Sequence, residues 1–324
     1  MIERRQFIVG LGSTAAWPVV ARAQQAAMPV VGFLGGRVAE RWLASFRQAL
    51  GEAGSVENQN VTVEYHFLDG QDDRMAALIS DFVRRRVAVI ATPVNTPGSI
   101  AAKLATATIP IVFGVGEDPV RLGLVASLAR PGGNATGINF FNGEVTAKRL
   151  GLLHELVPKA VRVAVLNNPA NATADTTLRD VHEAARAIGL QIHVLNASTS
   201  GEIDAAFAAL ARERADALFV TGDVLFGSRR VQIVTLAARD RIPAAYPGRD
   251  NVAAGGLMSY ATDLGETLRQ VGVYTGKILK GTKPADLPVR QAARFLFVIN
   301  LQTAKLLGIE VPETLLATAD EVIQ

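Results

Sequence analysis

Pro29-Val30-Val31-Gly32-Phe33-Leu34 is a short apolar run rich in β-branched residues, and the pattern changes directly after it. Leu43, Phe46 and Leu50 then recur at i, i+3, i+7, the spacing of one inward helical stripe, and Gly51 and Gly54 supply a stop. A buried strand feeding an amphipathic helix is the unit of a parallel α/β layer. The unit recurs downstream. Residues 61–65 read as the next strand, 76–85 as the next helix, and 87–91 and 109–115 as two more strands separated by a helix over about 98–106.

The same cycle restarts further on. Residues 162–166 read as a strand, followed by a helix carrying Leu178, Val181, Ala185 and Ile188 before Gly189. Residues 191–195 form another strand. Thr199-Ser200-Gly201-Glu202 resembles a capping box opening a helix with Ile203, Phe207 and Leu210 on one face. Strands follow at 217–220 and 244–246. Between the two sets lies 118–143, rich in Gly and Pro, and then a helix over 144–157 closed by Pro158. Residues 138–142 read as a first crossover. About 300 residues exceed what one core organises comfortably, so two lobes are expected.

The N-terminus reads as an export leader over residues 1–23. Arg4 and Arg5 precede an apolar stretch interrupted by Gly10, Gly12 and Pro18, and Ala21-Arg22-Ala23 forms an A-x-A site before Gln24. Arg4-Arg5-Gln6-Phe7-Ile8 resembles a twin-arginine signal. The stretch is short of the roughly 20 residues that span a bilayer. Of the 33 basic and 30 acidic residues, three and one fall in this leader, leaving a net charge of about +1. That balance argues against nucleic-acid binding, which needs a concentrated basic face. The run Arg84-Arg85-Arg86 reads instead as a helix end complementing its dipole. With no cysteine there is no disulfide, thiolate metal site, cysteine nucleophile or lipidated N-terminus.

A set of short stretches in fixed order resembles one family. They include Phe46-Arg47-Gln48-Ala49-Leu50 with Gly54, Gly70-Gln71 with Arg74, Ile109-Pro110-Ile111-Val112-Phe113 and Asp118-Pro119-Val120. Gly123-Leu124-Val125-Ala126-Ser127-Leu128, Arg130-Pro131-Gly132-Gly133-Asn134, Lys148-Arg149-Leu150 and Leu156-Val157-Pro158 follow. Gly255-Gly256-Leu257-Met258-Ser259-Tyr260, Ile278-Leu279-Lys280-Gly281 with Pro284, and Ile299-Asn300 complete the set. On these the chain resembles the ABC-transporter substrate-binding proteins whose relatives bind tryptophan and other aromatic amino acids. The resemblance implies a type I periplasmic-binding fold: two Rossmann-like parallel-sheet lobes joined by a three-strand hinge. Lobe 1 is then 28–141 plus about 262–284, and lobe 2 is 142–261 plus about 285–324. It further implies a monomeric carrier without cofactor, exported to the periplasm, that hands a small molecule to a permease with its ATPase.

Ligands of open α/β sheets bind beyond the carboxyl ends of the strands, so the loops leaving those ends are the candidate site. In lobe 1 they hold Gly36, Thr92, Asn95, Thr96, Gly116 and Asp118; in lobe 2, Asn168, Asp223 and Tyr246, with Tyr260 near the hinge. The helix after Asn95 offers free N–H groups to a carboxylate. Asp223 suits an ammonium, and Tyr246 and Tyr260 are candidates to stack on a ring. Each can equally be a cap, turn or packing residue, and Asp118 favours that reading because Pro119 follows it. Arg37 in the first loop departs from the small hydroxyl residues expected there and suits an acidic ligand group. Trp42 is expected on the flank of the first helix near the cleft rim. An enzyme is disfavoured: His66, His154, His182 and His193 show no metal spacing, and Gly32-Phe33-Leu34-Gly35-Gly36 does not fit a dinucleotide loop. A sugar-repressor-like regulator would need a DNA-binding headpiece where the leader stands. A periplasmic sensor presenting its closed form to a receptor kinase is the remaining alternative.

Overall fold

The computed structural model describes residues 28–35, 40–68 and 74–324. The leader, its cleavage site, Gly36, Arg37 and Gly70-Gln71 lie outside them. Lobe 1 begins β1 (Val30–Gly35), α1 (Glu40–Glu52), β2 (Thr62–Phe67), α2 (Met75–Arg85), β3 (Val89–Thr92), α3 (Thr96–Ala105), β4 (Ile111–Val115), β5 (Ala135–Asn139). The chain then crosses to lobe 2 with α4 (Asn142–Leu156), β6 (Arg162–Asn167), α5 (Ala174–Ala187), β7 (Gln191–Asn196), α6 (Ser200–Glu213) and β8 (Ala217–Val220). There follow α7 (Val224–Ser228), α8 (Arg230–Arg239), β9 (Ala244–Tyr246), α9 (Arg249–Ala253) and β10 (Met258–Thr262). Next, α10 (Leu264–Leu279) and β11 (Arg290–Gln291) return to lobe 1. Finally β12 (Phe295–Asn300), α11 (Leu301–Leu307), α12 (Glu313–Thr318) and β13 (Glu321–Ile323) finish lobe 2.

The six-stranded sheet has order β11-β5-β4-β3-β1-β2, and the seven-stranded one β13-β12-β10-β9-β8-β6-β7. Pairing is parallel except between β10 and β12. Central strands β3, β4 and β5 are buried along their whole length, as a sheet covered on both faces requires. Edge strand β7 alternates instead. Each sheet carries an apolar layer on both faces, giving two cores per lobe.

Helix α10 belongs to lobe 1 because its glycines let it lie against α1 backbone to backbone. A Cβ on Gly272 would stand 2.5 Å from the Phe46 carbonyl oxygen, and one on Gly276 2.4 Å from the Ala53 Cβ. The three crossings, at 140–141, 263 and 292–294, are tied side by side. Thr262 Oγ1 donates to the Phe140 carbonyl at 2.9 Å, Asp263 N–H to that of Arg294 at 3.0 Å, and Ala292 N–H to that of Asn139 at 2.8 Å.

The return to lobe 2 falls later than the expected 285. Leu287 and Val289 bury in the lobe-1 cores, and Arg290 and Gln291 pair with Ile138 and Asn139 on β5. The apolar side chains of 287 and 289 have nowhere else to go, so 285–291 stays with lobe 1. Residues 135–139 also form a buried strand where only a crossover beginning at 138 was expected, because β5 is flanked by β4 and β11. The capping box is present with one change: Thr199 Oγ1 accepts from Glu202 N–H at 3.2 Å, while Glu202 accepts from Ser198 N–H at 2.7 Å. The arginine run pairs with carboxylates, Arg84 with Asp81 and Arg85 with Asp81 and Glu64, and Arg86 is the left-handed C-cap of α2.

Candidate functional site

Ligands of open α/β sheets lie beyond the carboxyl ends of the strands, which here are those of β1, β3 and β4 in lobe 1 and of β6, β8 and β9 in lobe 2. On the lobe-1 edge, β2 ends in Phe67, β3 is followed by Pro93 and Val94, and the first turn of α1 carries Arg41 and Trp42. Trp42, Phe67 and Val94 are half-buried and pack on the lobe-1 core. Phe67 stacks on Tyr65 at 6.4 Å with the rings 12° apart, and both lie against Phe33. The edge is therefore apolar and aromatic.

Polar residues expected there are engaged within lobe 1. Thr92 is fully buried and its hydroxyl lies 2.8 Å from that of Ser99. Asn95 is the N-cap of α3: its Oδ1 accepts from Gly98 N–H at 2.9 Å, satisfying one of the donors reserved for a carboxylate. Its Nδ2 reaches back to the Leu34 carbonyl at 3.4 Å, fastening the end of β3 to the end of β1. Thr96, partly exposed, donates to Glu117 Oε2 at 2.7 Å.

The lobe-2 edge is polar. Asp223 caps α7, its Oδ1 accepting from Leu225 N–H at 2.8 Å and Phe226 N–H at 3.4 Å. Asn168 Nδ2 donates to the same oxygen at 3.2 Å and Asn171 Nδ2 to Oδ2 at 2.8 Å. Asn168 Oδ1 accepts in turn from Ser198 Oγ at 2.9 Å. One carboxylate thus holds the loops after β6 and β8 together, with Ser198 adding the loop after β7. Sequence reading named Asn168 and Asp223 as candidates but not Asn171 and Ser198, which lie on turns with no periodic signature.

The two candidate tyrosines pack on lobe-2 cores, Tyr246 wholly and Tyr260 in part. Tyr246 is 1% exposed, deep in a lobe-2 core, with its ring 2.6 Å from where a Gly256 Cβ would stand; burial pushes its pKa up. A ring packed this way has no free face for a ligand. Tyr260 stacks on Phe295 at 5.8 Å and lies edge-on to Phe297 at 6.4 Å, so it forms an aromatic ladder across the β10–β12 pair.

Gly116 and Asp118 line a groove of about 1100 Å³ between the lobes, with Glu117, Asn142, Thr176 and Asp180 among its walls. Gly116 is required by close approach: a Cβ there would meet Phe140 at 2.7 Å and Asn142 at 2.8 Å. Asp118 acts mainly as a turn residue, accepting from Val120 N–H at 2.8 Å. Asp180, on α5, has its pKa raised by burial and by the negative charges of Glu183 and of Glu117 across the groove, against the lowering effect of Arg179. A second contact between lobes is an ion pair, Arg41 Nη2 to Asp250 Oδ1 at 2.9 Å, with the guanidinium 5.0 Å from the Trp42 ring centroid. Among the described residues no group of three or more His, Cys, Asp or Glu is arranged to hold a metal ion. No described helix is long and apolar enough to cross a membrane.

A family model described as ABC transporter substrate binding protein matches residues 29–323. A tyrosine-binding protein of Clostridioides difficile (strain R20291) is 27% identical over 265 residues, covering 82% of this chain and 76% of the relative. Two solved structures share the architecture. One is an ABC domain in complex with L-Trp from Streptococcus pneumonia, with TM-score 0.81, 24% identity, and coverage of 92% of this chain and all of that one. The other, a conserved domain protein from Vibrio cholerae, gives TM-score 0.80 and 27% identity over 91% of this chain and 99% of that one. The fold they share is the type I periplasmic-binding fold.

Proposed function

The chain belongs to the ABC transporter substrate binding protein family, and on that premise we propose that it is an exported carrier that closes over one aromatic amino acid. The family and its relatives are solute-binding proteins, not enzymes. One observation carries the aromatic reading. Trp42, Phe67 and Val94 give lobe 1 an apolar edge, and Asn168, Asn171 and Asp223 give lobe 2 a polar one. A ligand with a ring at one end and charged groups at the other complements both. Tyrosine and tryptophan, named for its relatives, have that shape.

Ligand bridging the two edges adds contacts only the closed form makes, so binding shifts the population toward closure. The mature chain begins at Gln24, acts as a monomer in the periplasm, and delivers its ligand to a permease with its ATPase. Calorimetry of the mature protein against the amino acids tests the reading: saturable binding of tyrosine or tryptophan, tighter than of alanine, is expected. Binding of neither aromatic would overturn it. Intact mass of the exported protein tests the leader, and Met1 retained would refute cleavage.

A further inference from the structure

Lobe 2 encloses a cation that has no counterion among the described residues. Arg149, on α4, is only 4% exposed; its Nε has no hydrogen-bond partner, and among the described residues no carboxylate pairs with it. Its guanidinium lies over the Phe219 ring, 4.4 Å from the centroid. Burial pulls its pKa down to about 9. A ring face offsets only part of the cost of taking a guanidinium out of water, and buried charges in proteins are ordinarily met by an opposite charge.

The position of this cation ties it to the cleft. Phe219 is the penultimate residue of β8, and Thr221, two residues on, lies on the same sheet face at the carboxyl edge. On β6, Val165 is in register with Phe219, and Asn167 stands two residues beyond it on that face. The guanidinium is thus about 7 Å, one pleat repeat, below a rim of short polar side chains. Helical side chains lean toward the helix N-terminus. For α4 that end is the crossover at Phe141, on the cleft side of the lobe. The side chain therefore leans toward the cleft.

We infer that Arg149 is the anion-recognition group of the lobe-2 half of the cleft, and that the ligand it takes carries a carboxylate. The inference rests on the cleft being the binding site, but not on which side chain the ligand has. Movement of the Asn167–Thr221 rim brings the carboxylate onto the planar donor fork, which suits a carboxylate bidentately. The buried arginine then destabilises the ligand-free protein, a cost that the bound anion removes.

Three measurements on the mature protein test this. First, the Arg149 Nε resonance, assigned by its loss in Arg149→Met, should shift saturably in acetate, a carboxylate with no other recognition feature; an unmoved resonance overturns the inference. Second, wild type should bind tyrosine at least about tenfold tighter than tyramine, which lacks only the carboxylate, and Arg149→Met should bind the two alike. An undiminished preference in the variant overturns the inference. Third, ligand-free Arg149→Met should melt no lower than wild type, since an apolar side chain replaces an unpaired buried charge. A lower melting temperature with unchanged ligand preference assigns Arg149 to packing alone. If wild type binds neither tyrosine nor tryptophan, the aromatic reading fails while the acetate titration still decides the role of Arg149.

Discussion

Replacing Asp223 with alanine removes an N-cap and the carboxylate that fastens two loops of lobe 2. The cap bond to Leu225 N–H, at 2.8 Å, is of the kind worth about 1 kcal/mol. The Asn171 amide donates to Oδ2 at 2.8 Å, a bond to a charged acceptor worth about 1.5 kcal/mol at the lower end of its range, appropriate because Asp223 is half-buried. The longer Asn168 bond, 3.2 Å, adds about 0.5 kcal/mol. Asp223→Ala should therefore cost about 3 kcal/mol, whereas Asp223→Asn, which keeps a capping oxygen, should cost about 1 kcal/mol. Urea unfolding of the mature protein, followed by far-ultraviolet circular dichroism and extrapolated to water, measures both. Calorimetric titration of the same variants with a bound amino acid separates folding from recognition. An alanine variant within about 0.5 kcal/mol of wild type, the range of ordinary surface changes, would refute the structural assignment. If it also bound ligand tenfold more weakly, Asp223 would be a ligand group and not a tie between loops.

Three further outcomes follow from other parts of the molecule. Gly272→Ala should lose about 3 kcal/mol in the same unfolding assay, because its Cβ would press on the Phe46 carbonyl oxygen, whereas Gly51→Ala, in open space on α1, should gain about 0.5 kcal/mol; equal effects would show that α1 and α10 do not pack as described. All four tyrosines have raised pKa values, each first through burial, with Tyr65 pushed up to about 12. Unfolded tyrosine ionises near pH 10 while the folded phenols keep their protons, so stability holds below about pH 10 and is lost as pH rises toward about 12. Tyrosinate absorbance should then appear together with loss of circular dichroism, and a normal titration preceding unfolding would contradict the burial. Trp42 is the one tryptophan outside the leader; its fluorescence should change saturably with ligand, since Arg41 stacks on its ring while bridging to Asp250 of the other lobe. A flat signal at saturating ligand would remove Trp42 from the cleft rim.

The alternation of strand and helix was legible in the sequence because its cause is local. Val30–Leu34 is apolar at every position, and Leu43, Phe46 and Leu50 repeat at helical spacing, whichever lobe they end in. Capping at Thr199 and Asn95 is likewise a matter of neighbouring residues. Where a helix docks is not local. Nothing in 264–279 names α1 as its partner until Gly272 and Gly276 meet the α1 backbone across more than 200 residues. The same holds for Leu287 and Val289, whose burial decides that the last crossing waits until 292.

The candidate site divides along this line. Residue type and order along the chain placed Thr92, Asn95, Asn168 and Asp223 at the carboxyl ends of strands, but a side chain's free bonds are set by what the fold brings beside it. Ser99 takes up Thr92, and Asn171 takes up Asp223. Tyr246 points into a core because β9 turns that face inward. Arg149 stood in the sequence within the Lys148-Arg149-Leu150 stretch, with nothing local to mark it as buried. Only the packing of α4 over Phe219 made it a buried charge with no carboxylate beside it among the described residues, because desolvation depends on every element around a group and not on its neighbours in the chain.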